Sequence, residues 1–409
     1  MNNRPCRLCG TALTETFADL GMSPLSNSFV PPERAGAMEP TYPLHAWVCG
    51  ACRLVQLEAF ESPEHIFSDY LYFSSFSESW LRHAEAYAAA MVARFGLHAG
   101  SKVVEIASND GYLLQWFQQR GCQVLGVEPA ANVANVAVAK GIPSDVAFFG
   151  VDTARRLRAA GHAADLMAAN NVLAHVPDLE DFVGGFAVLL KPAGVATFEF
   201  PHLLRQMQEN QFDTIYHEHF SYLSLHVVQR ILAAQGLTVF DVAELSTHGG
   251  SLRVFACHAG AHHAVQPAVA AVLAAELAFG LEGAEAYRAF ARQVVDVKAG
   301  LLRFLLDARD AGRTVAAYGA PAKGNTLLNY CGVGPDLLSF TVDRSPYKQG
   351  TLLPGVRIPV RAPEAILEAR PDYVLILPWN LRDEIMGQMA AVREWGGRFV
   401  VPIPSLQVL

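Results

Sequence analysis

Val103-Val104-Glu105-Ile106-Ala107-Ser108-Asn109-Asp110-Gly111 is the stretch on which the fold turns. Two β-branched residues run into a carboxylate, then into small and turn-forming residues. A helical pattern follows over residues 112–120, with Gly121 as its stop signal. The order is strand, tight turn, helix start, the element that offers backbone N–H groups to a ligand in an open parallel sheet. Gln123–Val127 reads as the next strand, and Glu128-Pro129 stands at its end. An acid roughly 20 residues after the loop is placed to take both hydroxyls of a ribose.

A dinucleotide fingerprint would require Gly-x-Gly-x-x-Gly in the first turn, and the sequence lacks it. Ala107, Ser108, Asn109, Asp110 and Gly111 are small or turn-prone, but no diphosphate cradle is evident. An acid before the loop (Glu105) and another after the next strand (Glu128) suit a nucleoside without phosphate, namely S-adenosylmethionine; the alternative is an ordinary βα turn with no ligand. Residues 165–176 read as a strand with a polar end, Asn170-Asn171, then a turn carrying His175. Residues 189–194 read as a turn, and the strand over 195–200 carries Glu199. This succession resembles a class I methyltransferase, which implies that Asn170 and Asn171 also line the cofactor site.

The chain has 409 residues, enough for two or three domains. Hydrophobic residues make up 52% and charged residues 17%, so every part has material for a core. A formal charge of −8 argues against nucleic acid as a partner, because phosphate binding requires a basic face. No basic-then-apolar leader opens the chain. The most apolar window, residues 267–280, is interrupted by Glu276 and too short to span a bilayer. The expectation is a cytoplasmic protein with no membrane partner.

Of seven cysteines, four form two Cys-x-x-Cys pairs, Cys6/Cys9 and Cys49/Cys52, with Gly10 and Gly50 placed to let the knuckles turn. Four thiolates complete a closed, structural zinc site; the alternative is two unrelated pairs, one of them redox-active. The wide separation of the pairs predicts that the intervening residues fold as their own small unit. Isolated Cys122, Cys257 and Cys331 read as buried thiols.

Tyr216-His217-Glu218-His219 sets three proton-handling side chains in a row behind a tyrosine. The zincin spacing is absent, and in an extended segment His217 and His219 would share one face, with Tyr216 and Glu218 on the other. Near a cofactor loop such a cluster points to catalysis. Taken in order, the two knuckles, the 103–111 stretch, this tetrad and Gly319-Ala320-Pro321-Ala322-Lys323-Gly324 resemble the sugar C-methyltransferases, which methylate C-3 of nucleotide-linked 4-keto deoxysugars. The resemblance covers essentially the whole chain.

It implies an α/β protein with a zinc-binding domain (1–70), a class I methyltransferase domain (71–260), a helical connector (261–310) and a C-terminal Rossmann-like domain (311–409) that helps hold a nucleotide-diphospho sugar. It implies that His219 is the base, that Tyr216 and Glu218 position the sugar and relay the proton, and that His175 faces the keto oxygen. A linker tyrosine joins them, Tyr70 in preference to Tyr72, which lies beside the substrate with His217. Lys323 and Asn325, at a helix start, are candidate phosphate contacts, or a solvated helix turn. Arg253 is either a pyrophosphate contact or a surface arginine. The alternatives in function are transfer to another sugar atom, or a binding protein with an inactive methyltransferase fold.

Overall fold

The structure, a computed structural model, describes residues 4–62 and 73–409. The central sheet is built from β4 (Lys102–Ile106), β5 (Gln123–Val127), β6 (Ser144–Asp145), β7 (Ala164–Asn170), β8 (Leu190–Pro201), β10 (Leu237–Leu245) and β11 (Ser251–His258). Their order across the sheet is β10-β11-β8-β7-β4-β5-β6. β11 runs antiparallel to both neighbours, and the β8-β7-β4-β5-β6 run is parallel. Val103, Val104 and Ile106 are buried, because helices cover both faces of the sheet. The chain leaves β4 toward β5 on one side and later returns to β7 on the other. The crevice beyond the ends of these strands is therefore the place for a ligand.

Two local expectations are corrected. Residues 189–194 do not make a free turn: β8 already begins at Leu190 opposite Ala164, and the irregularity is absorbed as a register shift before Leu166. The first helix after the loop is shorter than the 112–120 pattern, Leu114–Gln119, because the left-handed turn continues through Gly111 (φ 79°).

The knuckles bracket β1 (Glu15–Ser23) and β2 (Tyr42–Val48), followed by β3 (Val55–Leu57). This N-terminal sheet is completed by β9 (Ser221–Tyr222), which pairs antiparallel with β3 and comes directly after the tetrad. The intervening residues fold into a sheet, but not as the small unit of their own that the spacing predicts, because β9 and the connector complete it. Phe17 stacks on Phe290 of the connector at 4.6 Å, and one hydrophobic core runs from β1 and β2 through the connector into the C-terminal domain.

The connector is two helices, Pro267–Phe279 and Glu285–Asp310, broken at Gly280 as the sequence indicates. In the longer one, Tyr287, Phe290, Val294, Val297, Leu301, Leu305 and Ala308 fall at steps of three and four and form one buried stripe. The C-terminal sheet follows in the order β14-β13-β12-β15-β16-β17, from β12 (Val315–Tyr318), β13 (Thr341–Val342), β14 (Val360–Arg361), β15 (Tyr373–Ile376), β16 (Arg398–Val401) and β17 (Gln407–Val408). Helix Ala322–Cys331 opens directly after the turn that ends β12. No helix among the described residues is long and apolar enough to cross a membrane.

Candidate active site

The four knuckle cysteines bring their sulfurs within 4.8 Å of one another. Cys6–Cys52 and Cys9–Cys49 are each 3.5 Å apart, far longer than a disulfide. A tetrahedral zinc with Zn–S of about 2.3 Å requires sulfur–sulfur edges of roughly 3.8 Å, so the donor set fits a closed zinc site. Buried Gln56 gives its amide N–H to the Cys6 sulfur at 3.1 Å, and its backbone pairs with Ser221 of β9.

At the sheet crevice, Ala107 (φ 53°), Asn109 (φ 49°) and Gly111 alternate into the left-handed region along one loop. Small or amide side chains are those that tolerate this. The loop's side chains are largely spent on holding it. Ser108 packs against Gly126, where a Cβ would come 2.3 Å from its hydroxyl oxygen. Asp110 pairs with Lys140 at 3.1 Å, and Asn109 accepts the Ser74 N–H. Glu128 ties the two crevice loops together by accepting the N–H groups of Asn109 and Ala130, both at 2.9 Å. Half-buried Pro129 lies between these two anchors. Glu105 is buried beside the Tyr112 hydroxyl, and burial pushes its carboxyl well above the usual range. Neither of its oxygens has a hydrogen-bond partner of normal geometry among the described residues. At the end of β7, Asn170 and Asn171 each leave a buried amide oxygen unpartnered among the same residues, and Asn171 is left-handed (φ 56°). Orphan acceptors around the crevice fit the amino acid and ribose ends of adenosylmethionine.

The tetrad is a turn. His219 N–H donates to the Tyr216 carbonyl at 2.9 Å, so the expected sharing of a face by His217 and His219 fails. His217 leaves the site and meets the N-terminal unit, edge-on to Tyr42 and Phe60, with Nε2 3.3 Å from the Pro43 carbonyl. Tyr216 instead lies over the His219 ring at 4.0 Å, and His175 meets that ring edge-on at 4.6 Å. Both histidines are anchored through Nδ1, His219 to the Thr214 carbonyl (2.9 Å) and His175 to the Glu218 carbonyl (2.8 Å). Because a carbonyl only accepts, each neutral ring carries its proton on Nδ1 and its lone pair on Nε2. Burial holds His219 well below the ordinary imidazole range and pushes His175 down to about 4. Glu218 accepts Asn27 Nδ2 at 2.6 Å, and burial raises its carboxyl to about 7.

The C-terminal domain reaches this turn. Lys323 donates to Asn380 Oδ1 at 2.6 Å and lies 4.4 Å above the Trp379 ring; burial lowers its pKa, against the opposing charge of Asp213. Two expected phosphate contacts are redirected. Asn325 is buried and donates to the Ser26 carbonyl (2.5 Å), so it holds the N-terminal loop. Arg253 is buried rather than on the surface: its guanidinium donates to buried Glu199 at 2.6 Å, beside His83 and over the Tyr87 ring. Tyr70 and Tyr72 lie outside the described residues.

The sequence reading missed Asn27, Asp213, His248 and Trp379. His248, exposed and in a left-handed conformation, has its Nε2 3.4 Å from Asn171 Nδ2. Its available signal was a histidine directly before Gly249-Gly250 ahead of a strand. Asn27 and Trp379 carried no local signal, since the partners that bring them to the site are distant in the chain, Glu218 for Asn27 and Asp213, Lys323 and the Gly249 loop for Trp379.

This sheet order, with β11 antiparallel beside a parallel run and a crevice ringed by acids and amides, defines a class I methyltransferase fold. Family models match the chain in succession: a zinc-binding domain at residues 6–67, a methyltransferase domain at 80–242 and the C-methyltransferase C-terminal domain at 246–404. The chain is 38% identical over 404 residues to the C-methyltransferase NovU of Streptomyces niveus, covering 99% of this chain and 96% of that one. It belongs to the C-methyltransferase family. A ubiquinone biosynthesis O-methyltransferase of Rhodopseudomonas palustris (strain BisB5) is 31% identical over 100 residues, 24% of this chain and 38% of its own. Among solved structures, magnesium protoporphyrin IX methyltransferase from Synechocystis PCC 6803 with bound SAM aligns at 17% identity and a TM-score of 0.34, over 44% of this chain and 79% of that one.

Proposed function

We propose that this C-methyltransferase moves the methyl of S-adenosylmethionine to C-3 of a nucleotide-diphospho 4-keto-6-deoxysugar, dTDP-linked by the resemblance, with His219 as the base. The observation that carries this reading is the His219 tautomer. With Nδ1–H held by the Thr214 carbonyl, the lone pair lies on Nε2, and burial keeps the ring neutral.

A carbon next to a ketone becomes nucleophilic once its proton leaves, and a neutral imidazole suits that step. The Thr214 carbonyl then steadies the imidazolium through Nδ1–H. The enolate oxygen requires a hydrogen-bond donor. His175, neutral and protonated on Nδ1, presents a lone pair on Nε2 and is suited to accept from a hydroxyl rather than donate to the oxygen. The donor role therefore falls to the Tyr216 hydroxyl or the Lys323 ammonium. The sulfonium of adenosylmethionine supplies an electrophilic methyl, and the crevice loop and Glu128 orient it for in-line attack. The zinc site is closed and serves the fold.

The test is deuterium exchange at C-3 of a nucleotide-linked 4-keto-6-deoxysugar in heavy water. Wild type is expected to exchange and to methylate carbon. His219→Ala is expected to lose about 10³-fold in both while binding adenosylhomocysteine normally. Methylation at nitrogen or oxygen, or unimpaired exchange by the variant, defeats the reading.

A further inference from the structure

Trp379, just after β15 in the C-terminal domain, donates its indole N–H to Asp213 Oδ2 at 2.8 Å. Asp213 is fully buried, and its other oxygen has no hydrogen-bond partner among the described residues. The next residue, Thr214, supplies the carbonyl that fixes the His219 tautomer. The edge of the same indole lies under the loop that carries His248. A Cβ on Gly249 would come 2.5 Å from Trp379 Cη2, so only glycine lets that loop lie flat on the ring. Gln211 closes the arrangement by donating to the Gly249 carbonyl at 2.7 Å. The upper face of the ring carries the Lys323 ammonium. One side chain from the C-terminal domain therefore contacts the segment anchoring the base, the loop bearing a second histidine, and the lysine beside them.

We propose that Trp379 is a positioning residue for proton abstraction: it sets the 211–214 segment, and through the Thr214 carbonyl it fixes the tautomer and aim of His219. This rests on the base role given to His219 above. The C-terminal domain is then part of the catalytic geometry as well as a candidate holder of substrate.

The experiment uses the full chain with zinc, with S-adenosylmethionine for methyl transfer and adenosylhomocysteine for exchange and spectra. Trp379→Phe keeps most of the ring and removes the N–H. Methyl transfer and C-3 exchange are expected to fall about 30- to 100-fold in kcat, the loss typical of a misplaced catalytic group, with KM within about 3-fold. The ¹⁵N spectrum of labelled histidine, with the His219 signal identified by His219→Gln, is expected to show a protected Nδ1–H in wild type and mixed tautomers in the variant. An unchanged kcat with a raised KM makes Trp379 a wall of the substrate pocket and overturns the proposal; so does an unchanged His219 signal. If wild type acts on no keto sugar, the functional reading fails, and the histidine spectrum alone decides the positioning role. If Trp379→Phe also loses adenosylhomocysteine binding, Asp213→Asn, which keeps the shape and weakens the acceptor, is measured by the same readouts.

Discussion

The cofactor crevice and the catalytic turn are built differently. The crevice is a local product: Glu105, the loop to Gly111, and Glu128 lie within 24 positions, and Glu128 holds the loop it faces through the Asn109 N–H and its own turn through the Ala130 N–H. The catalytic turn is held from three directions. Thr326 of the C-terminal domain donates to the Ile215 carbonyl at 3.0 Å, Asn27 of the N-terminal unit to Glu218, and His175 of the methyltransferase domain to the Glu218 carbonyl. β9, which continues the turn, is a strand of the N-terminal sheet. The crevice is assembled from the ends of neighbouring strands of one sheet; the turn carrying His219 is held by residues of all three units.

Removing zinc is the strongest way to separate the two. A structural zinc contributes about 10–16 kcal/mol to the folding of a small unit. Chelation is therefore expected to melt the β1-β2-β3-β9 sheet and abolish C-3 exchange, while calorimetry still finds adenosylhomocysteine bound. If cofactor binding disappears in parallel, the two regions are not independent.

Glu218→Gln sharpens the comparison through pH. The folded carboxyl of Glu218 is raised to about 7, so between the ordinary glutamate range and pH 7 the folded state holds a proton the unfolded state has released. Stability is lost as pH rises through that window and has gone by pH 8. Glutamine does not titrate, so the variant is expected to gain relative to wild type between pH 4.5 and 8, on the order of 3 kcal/mol. Equal pH dependence of the two melting temperatures would remove the buried-acid account. The two depressed histidines, His175 and His219, act in the opposite direction, since stability falls as pH drops below about 6.5, and they cancel between wild type and variant.

Glu128→Ala carries the smallest expected effect and touches only the crevice. Losing two charge-assisted bonds, one to the loop at Asn109 and one to its own turn at Ala130, is expected to weaken adenosylhomocysteine about 30-fold, or ~2 kcal/mol. Exchange at C-3, measured without cofactor, should stay at the wild-type rate. A matching loss of exchange shows that loop and turn are coupled.

By itself the sequence determined the units and their chemistry. β-branched runs into small turn residues located the crevice, two Cys-x-x-Cys pairs located the metal site, and Ala, Leu and Arg in helix spacing around a break at Gly280 and Gly283 located the connector, because each depends on spacing within a few tens of residues. The tertiary structure decided what faces what. His217 and His219 stand next but one in the chain yet point into different domains, because a turn replaced the extended segment. Arg253 and Asn325 have the charge and position of phosphate contacts, yet each bonds a partner, Glu199 and Ser26, that no local pattern pairs with it. Asn27 and Trp379 acquire their roles from residues 191 and 166 positions away. A buried polar group takes whichever partner the packing brings, and that choice is made only when the three units close on one another.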